Sequence, residues 1–183
     1  AFLSAGNVGV VSAQTIPLDP NFGTGGIVSG VTVPGYTPHC CYHILRVLDD
    51  GRIIVGLRID HIVQENYSGF MRFNGEGEID TTFGTNGYTL LDWVPNQNHR
   101  VTGILADNSG RILFSAMLTE DNGNNADWGI GVLSASGLLD LAFDQDGLKS
   151  VSYPGTNEYP SGLAIDDSNN IVVAGNINSS CPC

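Results

Sequence analysis

The strongest constraint on this chain is a long internal repeat. The stretch Leu18-Asp19-Pro20-Asn21-Phe22-Gly23-Thr24-Gly25-Gly26-Ile27 returns at Ile79–Tyr88 and, with more substitutions, at Leu139–Leu148. The aspartates of the three copies, Asp19, Asp80 and Asp140, are almost evenly spaced. An even, long period of this kind predicts a stack of similar supersecondary units, each burying an apolar face against the next.

Each copy of the stretch predicts a structural turn. Its aspartate carboxylate can accept backbone N–H bonds, its glycines allow positive φ, and its phenylalanine anchors the turn in a core. The residues that make up the three turns are Asp19, Phe22 and Gly26; Asp80, Phe83 and Gly87; and Asp140, Phe143 and Gly147.

A second motif keeps the same period and predicts a hairpin. It reads Asp50-Gly51-Arg52-Ile53, then Ser109-Gly110-Arg111-Ile112, then Ser168-Asn169-Asn170-Ile171, and the three isoleucines are equally spaced. Asp-Gly or Asn-Asn before an apolar run is a hairpin signal. Leu45, Ile104 and Leu163 occupy matching positions on the strand that pairs back.

Four short strands in each repeat, apolar on both faces, are typical of β-propeller blades. We expect an all-β fold of three four-stranded propeller-type blades in an open array. The repeats span residues 18–78, 79–138 and 139–183, and the third lacks its last strand. The predicted strands are Ile27–Val33, Tyr42–Leu48, Arg52–Ile59 and Ser68–Phe73; Tyr88–Leu91, Val101–Ala106, Ile112–Thr119 and Trp128–Ser134; and Leu148–Val151, Gly162–Ile165 and Asn170–Ala174.

Residues 1–17 contain a closing strand with no repeat in front of it. This segment reads Val8, Gly9, Val10, Val11, Ser12 and Ala13, similar to the strand that closes repeat two. The same stretch also fits the tail of a signal peptide, with Val11-Ser12-Ala13 as the cleavage site. Because an open array leaves a bare strand edge on repeat three, we expect this segment to complete the last blade, donated by a neighbouring subunit.

The combined pattern resembles a known family. Leu-Asp-x-x-Phe-Gly-x-x-Gly, followed by Asp-Gly-Arg-Ile-Ile-Val and an apolar closing strand, is similar to the delta-60 repeat of bacterial and archaeal secreted β-propeller-like proteins. The resemblance covers about Val8 to Gly175, and repeat three departs from it at Asp144 and at Asn169-Asn170. It implies propeller blades and an exported location, and it carries no catalytic residues.

Composition narrows the function further. The net charge of −12 argues against nucleic acid or an anionic membrane as a partner, since both require a basic face. No stretch reaches the roughly 18 apolar residues of a membrane span, so we expect no membrane insertion. No nucleophile, phosphate-loop or paired-carboxylate motif accompanies the four histidines, so we predict neither an enzyme nor a cofactor.

The four cysteines are Cys40 and Cys41 in repeat one and Cys181 and Cys183 after repeat three. Adjacent cysteines seldom bridge each other, so in an exported chain we expect the first pair to join the second, between neighbouring subunits. A metal site at His39-Cys40-Cys41-Tyr42-His43 is the alternative, but alternate strand residues face opposite sides, so these four side chains cannot converge on one ion.

Asp121–Asn125 and Asp144–Gly147 resemble calcium loops only faintly, and capped turns are the simpler interpretation.

Two sequons, at Asn66 and Asn178, allow N-glycosylation if the source organism performs it. Together these features predict a structural subunit of an extracellular or cell-surface filament that polymerises with copies of itself, head to tail, by strand donation and disulfide locking. The alternative is a β-propeller-like binding module of a cell-surface protein that recognises a glycan or a protein.

Overall fold

A computed structural model describes residues 17–33, 36–38, 44–60, 66–91, 93, 97–120 and 125–178. These residues form an all-β structure without helices, and so without a helix that could cross a membrane. The strands are β1 Thr37–Pro38, β2 Ile44–Val47, β3 Ile53–Asp60, β4 Asn66–Phe73, β5 Tyr88–Leu91, β6 Gln97–Ala106, β7 Ile112–Glu120, β8 Ala126–Leu133, β9 Leu148–Val151, β10 Asn157–Ile165 and β11 Ile171–Asn178.

The strands form three antiparallel sheets. Sheet I has the order β2-β3-β4-β5, with β1 pairing the far end of β3 alongside β2, so the sheet is four strands wide. Sheet II has the order β6-β7-β8-β9, and sheet III contains β10 and β11. Strand β6 contacts β2, β3 and β4, while β10 contacts β6, β7 and β8, so sheet II lies between the other two.

Hydrophobic side chains from both sheets fill the space between sheets I and II. Phe70 of β4 packs on Phe114 of β7, with ring centroids 4.9 Å apart, and Trp93 meets Phe114 edge to face at 5.8 Å. Gly131 lies opposite Phe114 in the sheet, and a Cβ there would overlap the ring. The sequence therefore leaves room for the aromatic ring by placing glycine beneath it.

The sheets do not coincide with the sequence repeats. Strand β5 follows the second turn and was assigned to repeat two, yet it pairs with β4 of sheet I, with Met71 opposite Tyr88. Strand β9 pairs in the same way with β8. Each complete sheet thus takes three strands from one repeat and its fourth from the next, and sheet III has two strands within the described residues.

The strand prediction for Ile27–Val33 is wrong. Ile27 forms only an isolated bridge with Gly23, and residues 28–33 belong to no strand. A strand needs a partner, and by the offset described above the partner of this segment would be a strand preceding the first turn. In repeat three, β10 begins at Asn157 and β11 ends at Asn178, so both strands are longer than predicted.

Candidate assembly site at the two ends of the molecule

The three predicted turns share one backbone structure. In the second turn the Phe83 N–H donates to the Asp80 carbonyl at 3.1 Å, and the Gly87 N–H donates to the Phe83 carbonyl at 2.8 Å. Gly87 has φ +97°, and a Cβ there would overlap the Ile79 side chain, so glycine is required. The same pairs of bonds occur at Asp19, Phe22 and Gly26 and at Asp140, Phe143 and Gly147.

Each of the first two turns docks on the tip of the sheet that follows it. The Gly84 N–H donates to the Ser136 carbonyl at 2.7 Å, and the Gly23 N–H donates to the Glu76 carbonyl at 2.7 Å. A Cβ on Gly137 would lie 2.7 Å from the Phe83 ring, so turn and tip are in close contact. In this way the first turn is fixed on sheet I as the second turn is fixed on sheet II.

Residues 28–33, which follow the first turn, lie on sheet I. Val33 is 1% exposed and belongs to a cluster with Leu57 and Met71, against which Val28 also packs. Ile27 is 55% exposed, although its counterparts Tyr88 and Leu148 are half-buried because each pairs with a strand. The front end of the described structure therefore has a turn followed by a segment that packs on sheet I, and Ile27 between them is exposed.

The opposite end of the molecule is sheet III. Within the described residues β11 pairs only with β10, from Asn157 opposite Asn178 to Ile165 opposite Ile171. In sheets I and II the strand equivalent to β11 pairs on its other side with a third strand, β4 or β8. The edge of β11 that faces away from β10 thus corresponds to an edge that is paired in sheets I and II.

Charged groups reinforce the hairpins of sheets I and II. Arg111 Nε donates to Asp107 Oδ2 at 2.7 Å, and its guanidinium reaches Asp140 of the third turn at 3.3 Å. The hydrogen bond to Asp107 is the main cause of the raised pKa of Arg111. Burial alone would raise the pKa of Asp107, but hydrogen bonds from Ser109 and Arg111 outweigh it and lower the pKa below its ordinary value.

In the hairpin of sheet III, a neutral side chain takes the place of the arginine. Asn170 replaces the arginine, and its Nδ2 donates to Asp166 Oδ2 at 2.8 Å. This hydrogen bond is the main cause of the lowered pKa of Asp166. In the first turn, Asp19 Oδ1 accepts the Asn21 N–H at 2.9 Å, as its counterparts do in the other turns.

Several predicted residues lie outside the described residues. They are the assembly strand Val8–Ala13, the cysteines Cys40, Cys41, Cys181 and Cys183, and most of Asp121–Asn125. Asn66 is the first residue of β4, and Asn178 is the exposed last residue of β11. Within the described part of the chain, no group of three His, Cys, Asp or Glu residues could hold a metal ion.

The second faint calcium loop is a capped turn in the structure. Asp144 accepts a hydrogen bond from Lys149 Nζ at 3.1 Å, and Asp146 Oδ1 accepts the Leu148 N–H at 2.9 Å. Both donors belong to β9, so the strand that follows the loop supplies these contacts.

Sequence reasoning missed Arg72, which links the second turn to sheet II. Its guanidinium contacts Asp80 at 2.8 Å and donates to the Ala135 carbonyl at 2.5 Å. The available signal was a lone arginine in the apolar run Phe70-Met71-Arg72-Phe73, where repeat two has Val132 at the matching position.

Searches of family models, of curated proteins and of solved structures found no match to this chain.

Proposed function

We propose that this chain is the structural subunit of an extracellular filament, in which subunits join head to tail by strand donation and disulfide bonds lock each junction. The observation that carries the proposal is the complementarity of the two ends. Sheet III has the first two strands of a sheet, and the segment around the first turn corresponds to the last two. Together they amount to one sheet of four strands.

The repeat also specifies a register for the donated strand. Within Val8–Ala13, Ser12 precedes Asp19 by the same number of residues as Phe73, the last residue of β4, precedes Asp80 and Leu133, the last residue of β8, precedes Asp140. Since Ile112 lies opposite Leu133 and Ile53 opposite Phe73, the matching pair is Ile171 with Ser12. Val11 then pairs with Val172, and residues 27–30 follow on the far side of the donated strand.

The proposed join is head to tail, because the turn that follows the donor segment lies on sheet I whereas the acceptor strand belongs to sheet III. Such a contact is heterologous, so it continues into a fibre unless the rotation between subunits closes a ring. Backbone pairing at a sheet edge supplies affinity, and alternate apolar side chains supply register.

Chain reach supports disulfides between subunits. Cys40 and Cys41 fall between β1 and β2 of sheet I, and Cys181 falls three residues after Asn178 of sheet III. Three extended residues span about 10 Å, roughly the spacing of two packed sheets. Sheet I of the same chain is separated from sheet III by the whole of sheet II, whereas sheet I of a stacked neighbour would be adjacent.

Electron microscopy of the negatively stained chain tests the proposal, together with reducing and non-reducing gels. We expect fibres and a covalent ladder that reduction collapses. A variant without residues 1–13 should remain monomeric, and a control without residues 1–5, which keeps the donor strand, should still assemble. Fibres formed by the variant without residues 1–13 would contradict strand donation, and monomers of the unaltered chain would contradict the filament itself.

A further inference from the structure

Among the described residues, each end of the stack also presents a sheet face on which no further sheet packs. We define the front face of a sheet as the one that bears Leu45 in sheet I, Ile104 in sheet II and Leu163 in sheet III, positions related by the sequence repeat. The rear face bears Ile54, Leu113 and Val172 at its matching positions. The definitions follow from side-chain alternation, since successive strand residues point to opposite faces.

Inside the molecule each front face packs on the rear face of the preceding sheet. A Cβ on Gly56, on the rear of sheet I, would lie 3.1 Å from Ile104 of sheet II. A Cβ on Gly103, on the rear of sheet II, would lie 3.1 Å from Leu163 of sheet III. The same kind of contact is therefore used twice along the chain, between sheets I and II and between sheets II and III.

The front face of sheet I contains an apolar groove of about 380 Å³. It is lined by the hydrophobic side chains of β2, β3 and β4 and bounded by Phe22 and residues 28–31. Leu45, in this groove, is 64% exposed, whereas its counterpart Ile104 is 6% exposed beneath sheet I. The residues that would cover Leu45 by analogy belong to the rear face of another sheet.

Sheet III presents that rear face uncovered. Val172 is 47% exposed, while its counterparts Ile54 and Leu113 are 0% and 2% exposed. Small residues flank it, with Ala174 on β11 and Gly162 on β10 at matching positions of the same face. This surface has the residue types that meet Ile104 at the junction of sheets I and II, where Gly56 provides the close approach.

We propose that the groove of sheet I seats the rear face of sheet III of a second copy, with Val172 entering the groove beside Leu45. The lining of the groove fits this occupant. Leu45 of β2 and Ile53, Val55 and Leu57 of β3 lie in it, and residues 28–31 border it. Two neighbouring strands of a sheet span about 10 Å. Sheet III supplies two strands. The inference rests on the proposed filament. It adds a contact between sheet faces to the proposed pairing of the donated strand with the edge of β11.

One consequence is that the filament would be a continuous stack, with the junction between subunits built like the junctions within them. Each subunit would add three sheet spacings to the stack, about 30 Å of contour. The front face of sheet I, on which Leu45 and Val47 are exposed in a free subunit, would be covered at every junction.

Two substitutions test the seating. Leu45→Asp places a charge in the groove without altering either strand of the proposed edge pairing, and Val172→Asp places one on the rear face of sheet III. Each should weaken association by about 30-fold or more, the effect of losing a central apolar anchor. The control Ser150→Asp adds the same charge at an exposed position of β9 and should assemble normally.

Mixing the two variants gives the decisive result. The Leu45→Asp chain keeps its rear face and the Val172→Asp chain keeps its front face, so an equal mixture should form dimers that cannot extend. Sedimentation velocity should show each variant alone at its 19.4 kDa monomer mass and the mixture at twice that mass. Circular dichroism should show unchanged folding, and Leu45→Ser with Val172→Ser replace the pair if either aspartate variant unfolds.

The other outcomes separate this inference from the filament proposal. If both variants polymerise like the unaltered chain while the variant without residues 1–13 does not, strand donation stands and the seating is wrong. A mixture that stays monomeric also overturns the seating. If the unaltered chain forms no assembly under any condition, both proposals fail.

Discussion

Replacing Arg72 should destabilise the fold more than replacing any exposed arginine. The side chain is 2% exposed and lies under the second turn. Its Nε contacts Asp80 Oδ2 at 2.8 Å, its Nη2 contacts Thr82 Oγ1 at 3.2 Å, and its Cζ lies 4.6 Å from the centre of the Phe83 ring. Its fourth partner is the Ala135 carbonyl of sheet II, so this one guanidinium ties the turn to the next sheet.

The size of the effect follows from what the substitution leaves behind. Arg72→Val installs the residue that sheet II has at this position, but it removes the main cation beside Asp80. Breaking a buried ion pair in this way costs about 3–5 kcal/mol. Asp80 keeps its hydrogen bonds from Thr82 and a guanidinium of Arg52 at 3.7 Å, so we expect the lower end, about 3 kcal/mol.

Urea unfolding followed by circular dichroism measures this loss. Arg46→Val is the matched control, because Arg46 is exposed on β2 and its replacement should change the free energy of unfolding by no more than about 0.5 kcal/mol. The double variant Arg72→Val/Asp80→Asn should recover part of the loss, since it also removes the stranded carboxylate. A loss below about 1 kcal/mol for Arg72→Val, the range of an ordinary point substitution, would refute the assigned role of the guanidinium.

Three further outcomes are expected. Phe114→Ala should lower the free energy of unfolding by about 3–5 kcal/mol, and Val173→Ala, at the matching half-buried position of sheet III, by less than about 1.5 kcal/mol, both measured in urea. Gly137→Ala should lower the melting temperature, because Gly137 has φ +84° and a Cβ would lie 2.7 Å from Phe83. The lowered pKa of Asp107 stabilises the fold above the unfolded pKa of about 3.9 and stops doing so as pH falls through the folded pKa. The melting temperature should therefore decrease as the pH is lowered below about 4, and Asp107→Asn should weaken that dependence.

The sequence predicted the local parts of this fold well. The turns at Asp19, Asp80 and Asp140 depend on glycine, aspartate and phenylalanine at fixed offsets, and such short-range chemistry is readable from one chain. The hairpins after Asp50-Gly51 and Ser109-Gly110 are local for the same reason.

The pairing of β4 with β5 and of β8 with β9, across the turns at Asp80 and Asp140, could not be predicted from local sequence. A period-two pattern shows that Tyr88–Leu91 is a strand, but both β4 before it and β6 after it offer an edge of matching polarity. Ile27–Val33 has an equally good strand pattern and yet lies as an irregular segment on sheet I. Which strand a segment pairs with is decided by long-range contacts, and a local sequence pattern does not show these. Arg72 was missed because its four partners come together only in the folded chain.

The offset between repeats and sheets changes how many strands the N-terminal segment would have to supply to sheet III. If each repeat formed its own sheet, repeat three would lack one strand and the N-terminal segment would supply one. Because sheets I and II each take their fourth strand from the next repeat, the proposed filament would have sheet III gain two strands from a neighbouring subunit. The turn between those two strands, at Asp19, is fixed on sheet I by the Gly23 hydrogen bond. In the proposed filament the donor would therefore be half a sheet that is held at one end by a folded neighbour. This would reduce the conformational entropy lost on docking compared with a free peptide of equal length. A donor held in this way favours a junction with the register of the internal sheets.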